Sequence, residues 1–246
     1  MFGIVKDVIR LLRIGIIRMM ASVRSDIFTI LSGSKVLIVA PHPDDEIIGC
    51  AGLMQSLLKA GKEVHIVILT GGEGSHKGCC SKSNSELIEA RRDLAAKANK
   101  QIGITKENLY FLHYQDGNIH YEYQETEKLA DLIKGVQPNS IFVPHKGEGW
   151  NDHLQVRNMI QKLIKNNSDI RLYEYCVWFW YYNTWNIDWK NAFTLSMTKA
   201  EHLLKNQAID TYILPKAPCG NPWSGVLPEV FIKAARWNKE LYFRIR

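Results

Sequence analysis

No two cysteines in this 246-residue chain are separated by two residues, which excludes a zinc ribbon and a thioredoxin-type redox site. The five cysteines are odd in number and the chain is not small, so we expect a reducing, cytoplasmic environment rather than a disulfide framework. Cys50 lies in an apolar helical stretch and is predicted to belong to the core. Adjacent Cys79 and Cys80 lie in a polar loop, where a vicinal disulfide would be a rare feature.

The sequence also lacks a long apolar run. Crossing a bilayer takes about 20 mostly apolar residues, and a secretory signal needs an uninterrupted apolar stretch of about 7–15. Charges at Lys6, Asp7, Arg10, Arg13 and Arg18 interrupt the apolar start of the chain, so neither element is expected there. Hydrophobic residues are 46% and charged residues 23%, which is the composition of a globular protein and excludes a collagen, a disordered chain or a polytopic membrane protein.

Positive charge is in moderate excess, with 31 Lys and Arg against 25 Asp and Glu and a net charge of +6. No nucleic-acid-binding motif accompanies it, so we expect no nucleic-acid partner. Part of the excess lies in residues 1–34, where charged side chains from Lys6 to Arg13 share one helical arc and apolar ones fill the rest. This pattern predicts a basic amphipathic helix. It either makes peripheral membrane contact through residues 1–30, or packs on the domain or on a second subunit of a homo-oligomer.

Residues 35–246 are predicted to form a single α/β domain. Short β-branched strands alternate with amphipathic helices, which predicts a Rossmann-like, mainly parallel sheet with helices on both faces. The predicted strands are 35–40, 64–70, 109–113 and 140–144, and the predicted helices are 46–60, 85–102, 125–135, 154–165 and 198–208.

The segment from Arg171 to Trp189 is unusually rich in Trp and Tyr. We predict an edge strand that turns into a loop. Its aromatic rings either fill the core or form a surface that stacks on sugar rings. No linker separates this region from the rest, so the C-terminal part is expected to pack against the same sheet.

No Gly-x-Gly-x-x-Gly follows the first strand, which disfavours a nucleotide-dependent oxidoreductase on this topology. The strand ends instead in His42-Pro43-Asp44-Asp45-Glu46, at the edge where open parallel sheets bind ligands. A bound cation would remove the repulsion between the two adjacent aspartates. Capping of the following helix is the alternative interpretation of these carboxylates.

A catalytic zinc uses three protein ligands and keeps a position open for water, so one imidazole and one carboxylate make an incomplete set. The third ligand should follow another strand. His145 directly follows the fourth strand and His153 lies at the start of the next helix, and either could ligate. On the alternative interpretation, Asp152 caps that helix and His153 is a surface residue.

The segment VLIVAPHPDDEIIGCAGLM, residues 36–54, resembles the signature of the PIG-L/LmbE-like deacetylase family. Five later segments are similar to further elements of the family and follow in the same order: ILTGGEGS, LYFLHYQDGNI, IFVPH, DHLQV and TKAEHLLKNQ. The resemblance therefore runs from about Lys35 to Gln207. It implies a zinc-dependent hydrolase that removes the acetyl group from an N-acetylglucosamine-type sugar in a glycan, glycolipid or glycoconjugate. Lipid linkage of that substrate is left open. A catalytically inactive sugar-binding or scaffold protein of the same fold is the alternative.

Carried over residue by residue, the resemblance makes His42, Asp45 and His153 the Zn²⁺ ligands and Asp44 the general base. Many family members have a histidine at the position of Trp150, where it is thought to stabilise the oxyanion.

With tryptophan in that place, His145 becomes the further catalytic candidate. Only the arginine of the family's Arg-x-x-Glu element is present, as Arg91, because Leu94 stands in place of the glutamate. The candidates for substrate binding are Arg91, Trp150 and Asp152. For Arg91 the alternative interpretation is a position on a solvated helix face.

Overall fold

The computed structural model describes residues 2–76, 78, 81–121, 124–182 and 185–246, so the interpretation of Cys79 and Cys80 lies outside the described residues. The strands are β1 Lys35–Ala40, β2 Glu63–Thr70, β3 Leu109–Tyr114, β4 Ser140–Pro144, β5 Arg171–Tyr175, β6 Ala192–Ser196 and β7 Lys239–Arg244. The α-helices are α1 Phe2–Ala21, α2 Asp45–Lys59, α3 Asn84–Gln101, α4 Glu125–Val136, α5 Asn151–Leu163, α6 Lys199–Ile213 and α7 Glu229–Ala235.

All seven strands form one sheet in the order β3-β2-β1-β4-β5-β7-β6. Strands β1 to β5 pair in parallel, and β7 pairs antiparallel with both β5 and β6. The chain runs outward from β1 to β3 and then returns to place β4 on the other side of β1. This reversal creates a switch point between β1 and β4, where a crevice opens at the carboxyl ends of the strands.

Helices cover both faces of the sheet, as the alternating pattern predicts. In β1, Ile38 and Ala40 join the core under α2, α3 and α6, whereas Leu37 and Val39 join the core under α4 and α5. Alternate residues of a strand point to opposite faces, so an uninterrupted apolar strand serves both cores. The mainly parallel α/β fold predicted from the sequence is confirmed.

Helix α2 packs very closely on the sheet because it carries glycine at two contact points. A Cβ added at Gly49 would lie 2.3 Å from Cδ2 of Tyr175, and one at Gly52 would lie 2.7 Å from Cγ of Met197. This close approach fixes the first turn of α2, and with it Asp45, against the carboxyl ends of the strands.

The aromatic segment contradicts one prediction, because β5 is not an edge strand. It lies between β4 and β7, and the edge position belongs to β6. Both β6 and β7 were missed by the sequence pattern. Tyr173 and Tyr175 are fully buried, which agrees with a core role for part of this segment.

Helix α1 packs on the domain with the side that carries its arginines, although the sequence pattern suggests that its apolar side would be buried. Ile14, Ile17 and Ala21 are buried, but so is Arg13, while most of the apolar arc faces outward. Within the described part of the chain, no helix is long and apolar enough to cross a membrane. The division of the chain at residue 34 stays a prediction.

Candidate active site

The loop between β1 and α2 holds its central residue in a strained conformation. Asp44 has φ 119° and ψ −29°, in the left-handed region that non-glycine residues rarely adopt. Such strain costs on the order of 1–3 kcal/mol and persists only where surrounding contacts impose it. Here the Asp44 amide donates to Glu46 Oε2 at 3.1 Å, and its carbonyl accepts from the amides of Ile47 and Ile48. The loop is therefore rigid and aims the Asp44 side chain into the crevice.

Arg91 supports the same loop from α3. Its Nη2 donates to the Pro43 carbonyl at 2.7 Å and lies 3.3 Å from Asp44 Oδ2, and its Nη1 donates to the Gly72 carbonyl at 2.9 Å. Only 3% of Arg91 is exposed. The structure thus brings Arg91 to the site, as the ion-pair partner of Asp44 rather than as a residue of a solvated helix face.

Three side chains from two strand ends form a compact donor set. His42 Nδ1 and His153 Nε2 each lie 3.3 Å from Asp45 Oδ2. One ligand atom from each of the three residues lies within 4.8 Å of the other two, so the set could hold a metal ion. His153 reaches this point because α5 begins at Asn151, three residues earlier than predicted, which places it in the first turn.

Each imidazole also has a carboxylate behind it. His42 Nε2 lies 3.1 Å from Asp116 Oδ1 and 3.2 Å from Asp152 Oδ2, and His153 Nδ1 lies 3.5 Å from Glu148 Oε2. Metal-ligating histidines commonly present their second ring nitrogen to a carboxylate, which fixes the tautomer and the ring orientation. This arrangement supports a metal between the first ring nitrogens.

Asp152 therefore occupies a different place from the one expected of a substrate-binding residue. Its Oδ2 accepts from the Gly117 amide at 2.8 Å and its Oδ1 accepts from the Ile119 amide at 3.2 Å. Only 1% of the residue is exposed. Asp152 connects the loop after β3 to His42 and does not line the cavity.

The charges of the site favour a bound cation. Burial lowers the pKa of His153, but Asp45 and Glu148 outweigh burial and raise that pKa to about 9. Burial also raises the pKa of Asp44 to about 8, against the opposing effect of Arg91 and with a further rise from Asp45 and Glu46. Several carboxylates thus compete for few positive partners, and a divalent ion would relieve this competition.

These groups lie at a cavity of about 630 Å³, lined among others by His42, Asp44, Asp45 and Arg91. The rim carries Trp150, which is 43% exposed and stacks on Trp178 with ring centroids 5.5 Å apart and planes 12° apart. The cavity is further lined by residues 224–227 of the C-terminal part. The structure thus brings Trp150 to the cavity, together with one aromatic residue of the Arg171–Trp189 segment.

His145 is not brought to the cavity. Its amide donates to the Tyr175 carbonyl at 2.9 Å, so the pairing of β4 with β5 continues through it and turns its side chain into the interior. The ring is fully buried against Phe179 and Phe243. Burial lowers the pKa of His145 to about 3, and Lys146 contributes a smaller reduction. We therefore give His145 no catalytic role.

Asp116 and Glu148 are site residues that the sequence interpretation missed. Asp116 lies just after β3 and Glu148 follows β4, so the rule that carboxyl ends of parallel strands share one edge could have found both. Trp178 and residues 224–227 had no comparable signal, because they reach the cavity only through the packing of the C-terminal part.

Fold and site together define an α/β domain that carries two imidazoles and a carboxylate, a candidate metal centre, at the switch point of its sheet. Residues 37–164, more than half of the chain, match the PIG-L family, described as GlcNAc-PI de-N-acetylase. The chain belongs to this family. The recognition made from residues 36–54 is confirmed.

Known relatives agree with this membership. Diacetylchitobiose deacetylase from Thermococcus kodakarensis is 28% identical over 123 residues, which cover 48% of this chain and 45% of that protein. This chain spans about half the length of the curated relatives it matches.

Solved structures show the same fold. N,N'-diacetylchitobiose deacetylase from Pyrococcus horikoshii superposes with a TM-score of 0.57 at 23% identity, over 72% of this chain and 69% of that chain. A 4-carboxy-2-hydroxymuconate hydratase from Pseudomonas putida has a TM-score of 0.64 at 15% identity, over 87% of this chain and 97% of that chain. Because a hydratase shares the fold, the reaction must be argued from the site.

Replacing Arg91 should destabilise the fold. Arg91→Met keeps the volume of the side chain but leaves the carbonyls of Pro43 and Gly72 and the carboxylate of Asp44 without their partner. Breaking such a buried pair is expected to lower the free energy of unfolding by about 3 kcal/mol, measured by urea denaturation. The control is Arg92→Met on the same helix, where the side chain is more exposed, with an expected loss of about 1 kcal/mol or less. Equal losses in the two variants would contradict this view of Arg91.

Proposed function

We propose that this protein is a zinc-dependent hydrolase that removes the N-acetyl group from an N-acetylglucosamine-type amino sugar, giving acetate and a free amine. The observation that carries the proposal is the set of two imidazoles and one carboxylate, with ligand atoms within 4.8 Å, beside a strained buried aspartate in a cavity. The name of one relative, diacetylchitobiose deacetylase, supports removal of an acetyl group from an amino sugar.

Zinc fits the donor set. His42, Asp45 and His153 supply the three protein ligands that catalytic zinc sites use, and the carboxylates of Asp116, Asp152 and Glu148 hold the two imidazoles in place. The donors His42, Asp116 and Asp152 also lie within 4.8 Å of one another, but the two sets share His42. We assign the metal to the set with two imidazoles. When bound, zinc supplies Lewis acidity that lowers the pKa of water and polarises the acetyl carbonyl.

Asp44 is the proposed general base. It lines the cavity next to the metal ligand Asp45, and it is a carboxyl group of the cavity that lies outside the ligand set. Its carboxylate takes a proton from the water whose oxygen bonds to the acetyl carbon. It returns that proton to the sugar nitrogen as the carbon–nitrogen bond breaks. Each water consumed therefore gives one acetate and one free amine. Arg91, 3.3 Å from Asp44 Oδ2, orients the carboxylate between these two steps.

Trp150 cannot replace the family histidine as a proton donor and acceptor, because an indole only donates through its ring N–H. We propose that Trp150 and Trp178 bind the sugar instead. Their stacked pair at the rim offers the apolar surface on which a pyranose ring packs.

We further propose that the amino sugar is carried on a lipid or a larger glycan, and that the protein meets it at a membrane surface without spanning the membrane. The description of the family names a de-N-acetylase of a sugar that is linked to phosphatidylinositol, which supports a lipid carrier. Helix α1, which contacts the residues that follow Trp178, turns most of its apolar side chains outward, and this supports a location near lipid.

The test combines metal analysis with acetate release. The full chain should bind one zinc per molecule and release acetate and free amine in equal amounts from at least one of N-acetylglucosamine, diacetylchitobiose and N-acetylglucosaminyl-phosphatidylinositol. Chelation should abolish the release and added zinc should restore it. Stoichiometric zinc without acetate release from any acetylated sugar would contradict the proposal and favour the sugar-binding alternative.

A further inference from the structure

Residues 177–182 lie between helix α1 and the cavity, and we call them the Trp178 segment. They contain one short helical turn, Trp178–Trp180, and the Trp178 carbonyl accepts from the amides of Tyr181 and Tyr182 at 2.9 and 3.0 Å. The segment contributes the Trp178 side chain to the cavity. A turn of this length makes few hydrogen bonds of its own, so neighbouring parts of the protein must set its position.

One side of the Trp178 segment is bound to the site. The Glu148 carboxylate, which lies behind His153, accepts from the amides of Val177, at 2.9 Å, and of Trp178. The Trp178 ring stacks on Trp150 at the rim of the cavity. These contacts join the segment to the candidate metal centre and to the proposed sugar-binding surface.

The other side of the Trp178 segment is bound to arginines of helix α1. Arg13 donates from Nη1 to the carbonyls of Phe179 and Trp180 at 3.0 and 3.3 Å, and Arg10 Nε donates to the Tyr181 carbonyl at 3.1 Å. Helix α1 thus supplies donors for three consecutive carbonyls of the segment. Because buried carbonyls need donors, the two arginines fix the backbone of the segment.

Ring contacts continue from helix α1 to the rim of the cavity. Arg10 Cζ lies 3.9 Å from the centroid of the Tyr181 ring, and that ring packs edge-on against Trp178, with centroids 5.8 Å apart and planes at 84°. Trp178 in turn stacks on Trp150. A cation over an aromatic face and an edge-to-face ring pair are both attractive arrangements. Arg10 therefore acts on Trp178 both through the backbone and through a ring.

Arg13 is buried among the apolar side chains that attach helix α1 to the domain. Only 1% of it is exposed, and Ile14 and Ile17 belong to the same apolar cluster as Phe179. Burial lowers the pKa of Arg13 to about 10, against a smaller rise from Cys176, so the group still carries its charge at neutral pH. A buried charge is costly unless its donors are used, and Arg13 directs hydrogen bonds to two carbonyls of the Trp178 segment.

We propose that Arg10 and Arg13 are positioning residues for substrate binding. They hold the Trp178 segment from behind, so that the Trp178 ring stays stacked on Trp150 and the rim keeps the geometry that receives the sugar. Small displacements of groups that bind a substrate have large effects on its binding and orientation. The positioning of the two indole rings is independent of the reaction, whereas their part in sugar binding rests on the proposed function.

Circular dichroism of the zinc-loaded full chain tests the position of the rings without a substrate. Two stacked indole rings couple their electronic transitions and give two bands of opposite sign. The difference between the spectra of the wild type and Trp150→Phe isolates this signal. The same difference, measured with and without Trp150→Phe in an Arg13→Met or Arg10→Met background, should be largely lost.

The matched control is Arg24→Met. Arg24 is half-buried like Arg10, donates from Nη1 to the Trp189 carbonyl at 3.3 Å and has its Cζ 5.6 Å from the centroid of the Trp189 ring. Its partner lies outside the Trp178 segment, so the ring signal should be retained.

Kinetics test the consequence for the substrate, with diacetylchitobiose as the probe. Arg13→Met should raise KM at least about tenfold and leave kcat within about twofold, the pattern of lost substrate binding rather than lost chemistry. Arg13→Lys keeps the charge and should restore part of the affinity. Arg10→Met retains the buried Arg13 and should show the same pattern to a smaller extent. In the Asp44→Asn background, the calorimetric Kd for diacetylchitobiose should rise by the same factors.

Several outcomes would overturn the inference. An unchanged ring signal in both Arg13→Met and Arg10→Met, or an equal loss in Arg24→Met, would show that helix α1 does not position the rings. A lower melting temperature with the ring signal and KM unchanged would assign the two arginines to stability alone. Loss of the ring signal, in a protein whose wild type releases acetate from no sugar, would support the positioning and contradict only the proposed reaction.

Discussion

Asp44→Asn is expected to retain one zinc per chain and to lower the rate of acetate release by about 10²–10⁴-fold, the usual contribution of a general acid–base group. The carboxamide has the same shape as the carboxylate and still reaches Arg91, but it cannot take a proton from water. Asp44 is outside the ligand set, so the metal should stay. The measurements are zinc by mass spectrometry and kcat for the best substrate of the panel.

The control for this variant is Asp131→Asn, where a carboxylate on α4 is 76% exposed and does not line the cavity. Its kcat should equal that of the wild type. Loss of zinc from Asp44→Asn would show that Asp44 ligates. Unchanged kcat with zinc retained would assign the proton transfer to another group.

Most of the site could be predicted because it is built from contiguous residues at strand ends. His42, Asp44 and Asp45 lie in one turn after an apolar strand, and parallel pairing of β1 with β4 brings the loop of His153 to the same edge. Neither step needs long-range information beyond strand order. The same logic applies to Asp116, which was overlooked although it follows β3.

The parts of the fold and site that the sequence predicted wrongly depend on contacts between segments that are distant in sequence. The interior position of β5 requires β7, which follows it by more than sixty residues and pairs through Tyr173 and Arg244. His145 stands at the correct edge, but continued pairing with Tyr175 turns it inward, and the point at which pairing stops is not encoded in strand periodicity.

Helix α1 shows a further limit. Periodicity states which side chains share a face of a helix, but not which face is buried. Arg13 is buried where the carbonyls of Phe179 and Trp180 accept from its guanidinium group, and buried carbonyls need donors. The acceptors lie more than 160 residues away, so the charge pattern alone predicts the opposite orientation.

Asp45→Asn is expected to have the largest effect on metal binding. Asp45 Oδ2 is the atom that both His42 and His153 approach, at 3.3 Å each, so its charge holds the ligand set together. The neutral amide should weaken zinc binding more than the 10–100-fold that outer carboxylates typically contribute. Acetate release should fall below detection at zinc concentrations that saturate the wild type. Competition with a chromophoric chelator measures the change in Kd directly.

Glu148→Gln is compared with Asp45→Asn because a smaller loss of zinc affinity is expected. Glu148 Oε2 lies 3.5 Å from His153 Nδ1, the ring nitrogen that faces away from the proposed metal position. Its zinc affinity should fall by about 10–100-fold, and excess zinc should restore acetate release. The Glu148 carboxylate also accepts from the amides of Val177 and Trp178, so a thermal melt must show that the variant remains folded. If Glu148→Gln lost zinc as completely as Asp45→Asn, the ligand set would have to include Glu148. If Asp45→Asn bound zinc as tightly as the wild type, the assignment of the metal between the two imidazoles would be wrong.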